Sequence, residues 1–315
     1  MVFLNINLYH PITKSTADEF IQSIDSVINI LQNEQHLGNI TGGKINFGFI
    51  ELDVPENLVI IGDLHGDLKS LLAILADVNY ENFLKIHNNK MIFMGDYIDR
   101  GSHSIDVLHT ILRLKQKYPH SVILMRGNHE ATSEFPFSSH DLPDKIQQQF
   151  GRNLARIIYE RLLTLFQSFP LLVLVRNHLI LVHGGLPTAI ERDFGKLITR
   201  IEHGVDKKIL EELLWNDPRD NISNDCGWEN SRRGTGRHFG KGITKKWLET
   251  SGTKVVVRGH EPCHGFKIDH DGSIMTLFSC KESYPDFDAA YLFITNNQLD
   301  SILNAHDLSH YVRKL

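Results

Sequence analysis

The sequence predicts an α/β fold, and three observations carry that expectation. Four short apolar runs, at 58–61, 91–94, 122–125 and 179–182, each end in a polar loop. Helix-spaced apolar residues follow the first two of those loops. A chain of 315 residues with 41% hydrophobic and 23% charged residues is also large enough to bury a sizeable core.

Along the chain, residues 15–35 place Phe20, Ile21, Ile24, Val27, Ile28 and Leu31 at helical spacing behind the capping candidates Ser15 and Thr16, which predicts an amphipathic helix. A strand is expected at 47–52, then a turn at Pro55, Glu56 and Asn57, then the strand at 58–61. Leu68, Leu71, Leu72 and Leu75 continue as a helix, and Ile105, Leu108, Ile111 and Leu112 repeat that strand, loop, helix unit. A Pro-bearing polar stretch at 135–143 then precedes one long helical pattern through Ile146, Phe150, Leu154, Ile157, Ile158, Leu162 and Phe166, read as a helical insertion over the sheet. Runs at 171–175 and 179–182 flank Arg176, Asn177 and His178 and predict a hairpin. Residues 216–242 are rich in Gly, Asn and Asp and are expected to be mostly loop. Strands at 255–257, 274–278 and 290–294 are expected to form a second sheet packed on the first.

The net charge of −5 argues against a general nucleic-acid binder but leaves room for an anionic substrate, since only local charge matters in a cleft. Cys226, Cys263 and Cys280 are widely spaced, so neither a disulfide framework nor a thiolate metal site is indicated, and a reducing, cytoplasmic setting is expected. The opening residues 1–16 lack the basic and apolar regions of a signal peptide, and no run approaches the roughly 18 apolar residues of a membrane span. Of the eighteen histidines, His36, His87, His120, His203, His306 and His310 lie in polar surroundings and read as solvated surface groups.

The polar loops themselves are GDLHGD at 62–67, GDYIDRG at 95–101, RGNHE at 126–130 and HGG at 183–185. In open α/β sheets ligands bind beyond the carboxyl ends of strands, which is where these loops begin. Asp63, His65, Asp96, Asn128 and His183 form a set of oxygen and imidazole ligands without thiolate, suited to Mn, Fe or Zn. A shared Asp can bridge two ions, an arrangement that serves phosphoryl displacement. Arg100 follows Asp96 by four positions, where a guanidinium can fork onto phosphate oxygens, and His129 adjoins Asn128, where it can transfer a proton.

With GDxHG, GDYxDRG and RGNHE in that order, the chain resembles the phosphoprotein phosphatases of the calcineurin-like metallophosphoesterase superfamily, over roughly residues 45–295. The resemblance implies a central β-sandwich of two mixed sheets flanked by helices. Because the motifs run from Gly62 to Gly185 and further pieces reach Tyr284, one domain overall is expected, with residues 1–45 as an N-terminal helical segment packed on the core and residues 46–315 as the metallophosphoesterase catalytic domain. The resemblance also implies two divalent metal ions, Mn in vitro with Fe or Zn as alternatives. Asp63, His65 and Asp96 would hold the first, with Asp96 bridging, and Asn128, His183 and His260 (from VVRGHEP) would complete the second. Arg100 and a second arginine would bind phosphate beside Asn128. Counting back from Phe239-Gly240 assigns Arg233 to that second position, with Arg232 as the rival. By the same resemblance His129 is the acid and Asp99 its carboxylate partner, and a hydroxide bridging the metals attacks phosphorus directly.

Three segments depart from the family pattern. FSCKESYPDFD at 278–288 shifts the family's active-site tyrosine by one place to Tyr284, and its Cys280 reads either as a redox-sensitive thiol or as a buried inert one. ATSEFPFSSHDLPDK at 131–145 replaces the usual continuation of RGNHE, and RGTGRHFG at 233–240 looks like bacterial members, which with the Ile- and Asn-rich composition would suit a bacterial effector delivered into a host cell. These departures are expected to bear on substrate recognition rather than on chemistry. The expected activity is hydrolysis of phosphoserine and phosphothreonine, with phosphotyrosine as an extension, on a phosphoprotein or phosphopeptide. The rival readings are a dinucleoside polyphosphate hydrolase and a catalytically silent docking protein.

Overall fold

The computed structural model describes residues 15–189, 200, 206–222 and 227–315. The opening stretch 1–14, His203 and Cys226 lie outside the described residues. Two sheets pack face to face. The first has five strands, β4 (Asn57–Ile61), β5 (Lys90–Phe93), β6 (Val122–Leu124), β15 (Ala290–Thr295) and β16 (Val312–Lys314), in the order β16-β15-β4-β5-β6. The second has eight: β1 (Asn39–Ile40), β2 (Gly43–Asn46), β3 (Phe49–Leu52), β7 (Leu172–Val175), β8 (Leu179–Val182), β12 (Val255–Arg258), β13 (Phe266–Asp269) and β14 (Ile274–Leu277), in the order β1-β2-β3-β7-β8-β12-β14-β13. Both sheets are mixed: β4, β5 and β6 run parallel, as do β8, β12 and β14, whereas β15 pairs antiparallel with β4 and β7 with β8.

The layering follows from the two-residue period of a strand, which sends alternate side chains to opposite faces. In β4, Leu58 and Ile60 enter the core between the sheets, where they meet Val173, Leu181, Val257 and Met275, while Val59 and Ile61 enter the core under the helices. Helices α1 (Ala17–Leu37), α2 (Leu68–Asp77), α4 (Ser104–Lys117), α5 (Leu142–Phe150) and α6 (Arg152–Gln167) cover that outer face of the five-stranded sheet; α3 (Tyr80–Leu84) follows α2. On the far side of the eight-stranded sheet, Ile180, Val182 and Val256 pack with α7 (Lys207–Trp215) and α8 (Lys241–Ser251). Strands buried on both faces explain why the sequence shows unbroken apolar runs rather than alternation. Two short helices, α9 (Asn296–Ser301) and α10 (Ala305–Ser309), separate β15 from β16.

The expected helix at 15–35 is present as α1. Thr16 caps it through a reciprocal pair in which Glu19 N donates to Thr16 Oγ1 and Thr16 N donates to Glu19 Oε2. The solvated reading of His36, His87, His120, His306 and His310 agrees with their exposure. Three expectations need correction. The single helical pattern at 146–166 is two helices, because Gly151 has φ +81 and breaks the run between α5 and α6. Residues 216–242 are not merely loop: β9 (Asp217–Pro218), β10 (Trp228–Asn230) and β11 (Arg237–Phe239) form a three-stranded sheet in the order β10-β11-β9. The late strands do not make a sheet of their own, since β12 and β14 join β8 while β15 joins β4.

Candidate metal centre

The two sheets bring the carboxyl ends of β4, β5 and β6 against those of β8 and β12, and the polar loops meet at that junction. Leu64 N and His65 N both donate to Asp96 O, Gly259 N donates to His183 O, and His260 N donates to both Asp63 carboxylate oxygens at 3.0 and 3.1 Å. Two glycines make the approach feasible. A Cβ on Gly127 would lie 2.3 Å from Asp96 Oδ1, and one on Gly259 would lie 2.3 Å from Asp63 Oδ1. Five of the ten non-glycine residues with positive φ among the described residues sit here: His65, Asp96, Asp99, Arg100 and His260. Such backbone is costly and concentrates at functional sites.

Asp63, His65, Asp96, Asn128, His183 and His260 are all buried. The Asn128 amide lies 2.9 Å from His183 Nε2 and 2.9 Å from His260 Nδ1, and His183 Nε2 lies 3.3 Å from Asp96 Oδ1. His65 Nε2 stands 3.6 Å from Asp96 Oδ2 and 3.8 Å from Asp63 Oδ2. The outer nitrogens are committed elsewhere: His65 Nδ1 donates to Ile98 O and His183 Nδ1 to Met94 O, each at 3.0 Å. That turns both Nε2 atoms inward, the orientation a metal-ligating imidazole needs once Nε2 is free of a proton.

Electrostatics tests whether these residues suit a cation. Burial, and then the Asp96 charge, pushes Asp63 up to about 6. Burial alone would lower His183, but Asp96, Asp63 and Glu130 together outweigh it and raise the imidazole to about 9, so negative charge at the junction draws a proton onto a buried ring. Burial and the facing His129 hold His65 down to about 3. Two buried carboxylates and inward-facing imidazole nitrogens, one of them holding a proton that a cation would displace, make a donor set that fits divalent cations. Ligand atoms of His65, Asp96 and His129 lie within 4.8 Å of one another, as do those of Asp96, His183 and His260, so Asp96 is common to both groups. The first group holds His129 where Asp63 was expected.

Beside this centre, His129 Nδ1 donates to Asp99 Oδ2 at 2.7 Å, and its Nε2 stands 3.9 Å from Asp96 Oδ2. Burial opposes the charged ring, but Asp96 and then Asp99 raise it above the ordinary histidine value. Burial would raise Asp99, yet its hydrogen bonds from His129 and His140 hold it well below the usual carboxylate range. Arg100 is exposed, and its guanidinium donates to the Tyr284 hydroxyl. Tyr284 therefore stands at the site despite its shifted place in the sequence, with its ring 6.2 Å from that of His65. The loop carrying it is fastened by Lys281 N and Glu282 N, which donate to Asp67 Oδ2 at 2.7 and 2.9 Å. Arg233 reaches the junction too, its Nε 3.4 Å from Asp217 Oδ2. Cys280 is buried and its thiol is pushed up to about 12 by burial, which makes it inert.

Four residues at the site carried no role in the sequence reading. Glu130 accepts hydrogen bonds from Asp96 N, Tyr97 N and Gly127 N at 2.8, 2.9 and 3.0 Å, fixing two ligand loops at once; its place in RGNHE was the available signal. Asp217, within LLWNDP, ties Arg233 to the buried Arg258, whose NH2 group donates to Asp217 Oδ1 at 2.8 Å. His140 lies in the divergent stretch after RGNHE and donates to Asp99 Oδ2 at 2.9 Å. Residues 137–142 of that stretch, expected to bear on recognition, thus pack on the Asp99–His129 pair, with Phe137 edge-on to His129 at 4.5 Å.

The calcineurin-like phosphoesterase family matches residues 57–264. The chain is 32% identical over 235 residues to a curated relative from Encephalitozoon cuniculi (strain GB-M1), named as a probable serine/threonine-protein phosphatase, covering 74% of this chain and 49% of the relative. The chain therefore spans about half the length of the curated relative it matches. Among solved structures, a serine/threonine phosphatase from Saccharomyces cerevisiae superposes with a TM-score of 0.70 at 22% identity, covering 89% of this chain and 83% of that one. A cold-active protein-tyrosine phosphatase from a Shewanella species gives 0.53 at 16% identity, covering 78% and 77%. At these identities the likeness is one of fold.

Proposed function

Because the chain belongs to the calcineurin-like phosphoesterase family, we propose that it is a metal-dependent protein phosphatase hydrolysing phosphoserine and phosphothreonine monoesters. The observation that carries this reading is the buried junction of Asp63, His65, Asp96, Asn128, His183 and His260, with the buried His129 beside it and Arg100 and Arg233 near it. The curated relative's name favours phosphoserine and phosphothreonine.

In this reading Asp63, His65 and Asp96 would hold one cation, and Asn128, His183 and His260, with Asp96, would hold a second. When bound, the two ions would supply positive charge to the phosphoryl oxygens and acidify a water. Arg100 forks onto two phosphoryl oxygens, oriented by its hydrogen bond to Tyr284. Arg233, held by Asp217, is the second phosphate-binding arginine. His129 gives its Nε2 proton to the departing seryl or threonyl oxygen, and Asp99 stabilises the charged ring before that transfer. A phenolate is a better leaving group than an alkoxide, so the same residues serve phosphotyrosine.

The test is a manganese-supplemented assay on a panel of phosphoserine, phosphothreonine and phosphotyrosine peptides beside diadenosine tetraphosphate. Turnover of the phosphoserine and phosphothreonine peptides is expected. Cleavage of the dinucleotide alone, or no turnover with metals bound, would contradict the proposal.

A further inference from the structure

The Asp99 carboxylate accepts more hydrogen bonds than a two-residue acid pair needs. Its Oδ2 takes His129 Nδ1 at 2.7 Å and His140 Nδ1 at 2.9 Å, while its Oδ1 takes the backbone amides of Asp141 and Leu142 at 2.9 and 3.1 Å, where α5 begins. Asp99 is fully buried. A carboxylate can only accept, so His140 donates from Nδ1, and the neutral ring then offers Nε2 as an acceptor. That Nε2 stands 2.9 Å from the Tyr159 hydroxyl, which donates to it, and the Tyr159 oxygen is 3.2 Å from Thr132 Oγ1. A directed chain thus runs from Thr132 through Tyr159 and His140 to Asp99, reinforcing each bond along it. It spans α6, the turn after His129 and the start of α5, so it is built by tertiary packing rather than by one loop.

We propose that His140 is a positioning residue for the proton donor: held by Tyr159, it fixes the plane of the Asp99 carboxylate so that His129 keeps Nε2 turned toward the leaving oxygen. The partners of His140, namely Asp99, Tyr159 and Phe137, include no candidate metal ligand. The inference rests on the phosphatase reading above, in which His129 is the acid. Without His140, Asp99 Oδ2 keeps His129 as its one partner while the Asp141 and Leu142 amides still anchor Oδ1, so the carboxylate can turn about that anchored oxygen and carry the imidazole with it. Misplacement of that kind costs the step that needs the proton and spares the step that binds phosphate.

The protein is assayed with manganese on two esters, a phosphoserine peptide whose alkoxide needs a proton to leave and p-nitrophenyl phosphate whose phenolate does not. His140→Ala should lower kcat on the peptide by about 10- to 100-fold with KM unchanged, and lower it far less on p-nitrophenyl phosphate. His140→Gln, whose amide can donate to Asp99, should recover part of the loss. Tyr159→Phe leaves His140 in place and should give a smaller loss with the same bias between esters, which keeps the test valid if His140→Ala folds poorly. In a His129→Asn background, His140→Ala should add nothing. Equal losses on both esters, a change confined to KM, or a further loss in the His129→Asn background would each overturn the role of His140 alone. Wild-type protein that turns over neither ester would overturn the phosphatase reading, and this inference with it.

Discussion

At the scale of single residues, the least expected placement is that of His129, whose ring atoms fall within ligand range of His65 and Asp96 while its Nδ1 is committed to Asp99. Acid and ligand roles predict different outcomes for one substitution. His129→Asn should lower kcat on phosphoserine peptides by about 10²- to 10⁴-fold, the range of general acid catalysis, and leave the metal content of the purified protein unchanged. Loss of metal in that variant would make His129 a ligand instead. Asp96 is common to both candidate groups, so Asp96→Asn should empty the site of metal and abolish turnover together, as read by elemental analysis and the same assay. Arg233→Ala should weaken phosphate binding where Arg232→Ala does not, because Arg233 is the one of the pair whose ion pair with Asp217 is seen; equal KM values in the two variants would remove that distinction.

At the scale of elements, the separation of α5 from α6 depends on Gly151. Its φ of +81 is strained for any residue with a Cβ, although open space surrounds it, so Gly151→Ala should destabilise the protein by about 1 kcal/mol through backbone strain alone. A melting temperature unchanged by that substitution would show that the two helices tolerate one continuous path. Strand β5 begins on a buried lysine, whose ammonium donates to His87 O and His120 O at 2.7 and 2.8 Å. Burial, and then repulsion from Lys115, lowers Lys90 from 10.5 to about 8. A folded-state value below the unfolded one means that the charge is a burden on the fold below pH 8 and that the burden lifts as the pH rises from 8 toward 10.5. The stability of the wild type relative to Lys90→Met, measured by denaturant unfolding, should therefore increase over that window; a constant difference would contradict it.

These elements also show why part of the fold was legible and part was not. Strands β4, β5, β6 and β8 were visible because burial on both faces writes an unbroken apolar run, and the GD and GNHE loops were visible because close backbone approach demands glycine beside the carboxylates. The strand pairings of β12, β14 and β15 were not, since every apolar run fits either sheet and only tertiary packing assigns it. Strands β9, β10 and β11 are two or three residues long, too short to show a period. The candidate ligands in the GD, GNHE and HGG loops were legible through those motifs and His260 through the family resemblance, whereas His140 reaches Asp99 and Arg258 reaches Asp217 across 41 residues of sequence, and no local pattern records such a partnership.

For the whole molecule, the two sheets matter because neither alone holds the donor set. One sheet presents Asp63, His65, Asp96 and Asn128, the other His183 and His260, and the hydrogen bonds from His260 N to Asp63 bind the two halves together. Cations bound at that junction stabilise the folded state by mass action. The melting temperature of metal-free protein should rise with manganese concentration, and Asp96→Asn should show no such rise. The most direct measurement is a manganese titration of metal-free protein in which bound metal and phosphoserine-peptide turnover are followed in the same samples. Turnover should be absent without metal and grow until two ions are bound per chain. Full turnover in metal-free protein, or two bound ions with no turnover of any phosphopeptide, would contradict it.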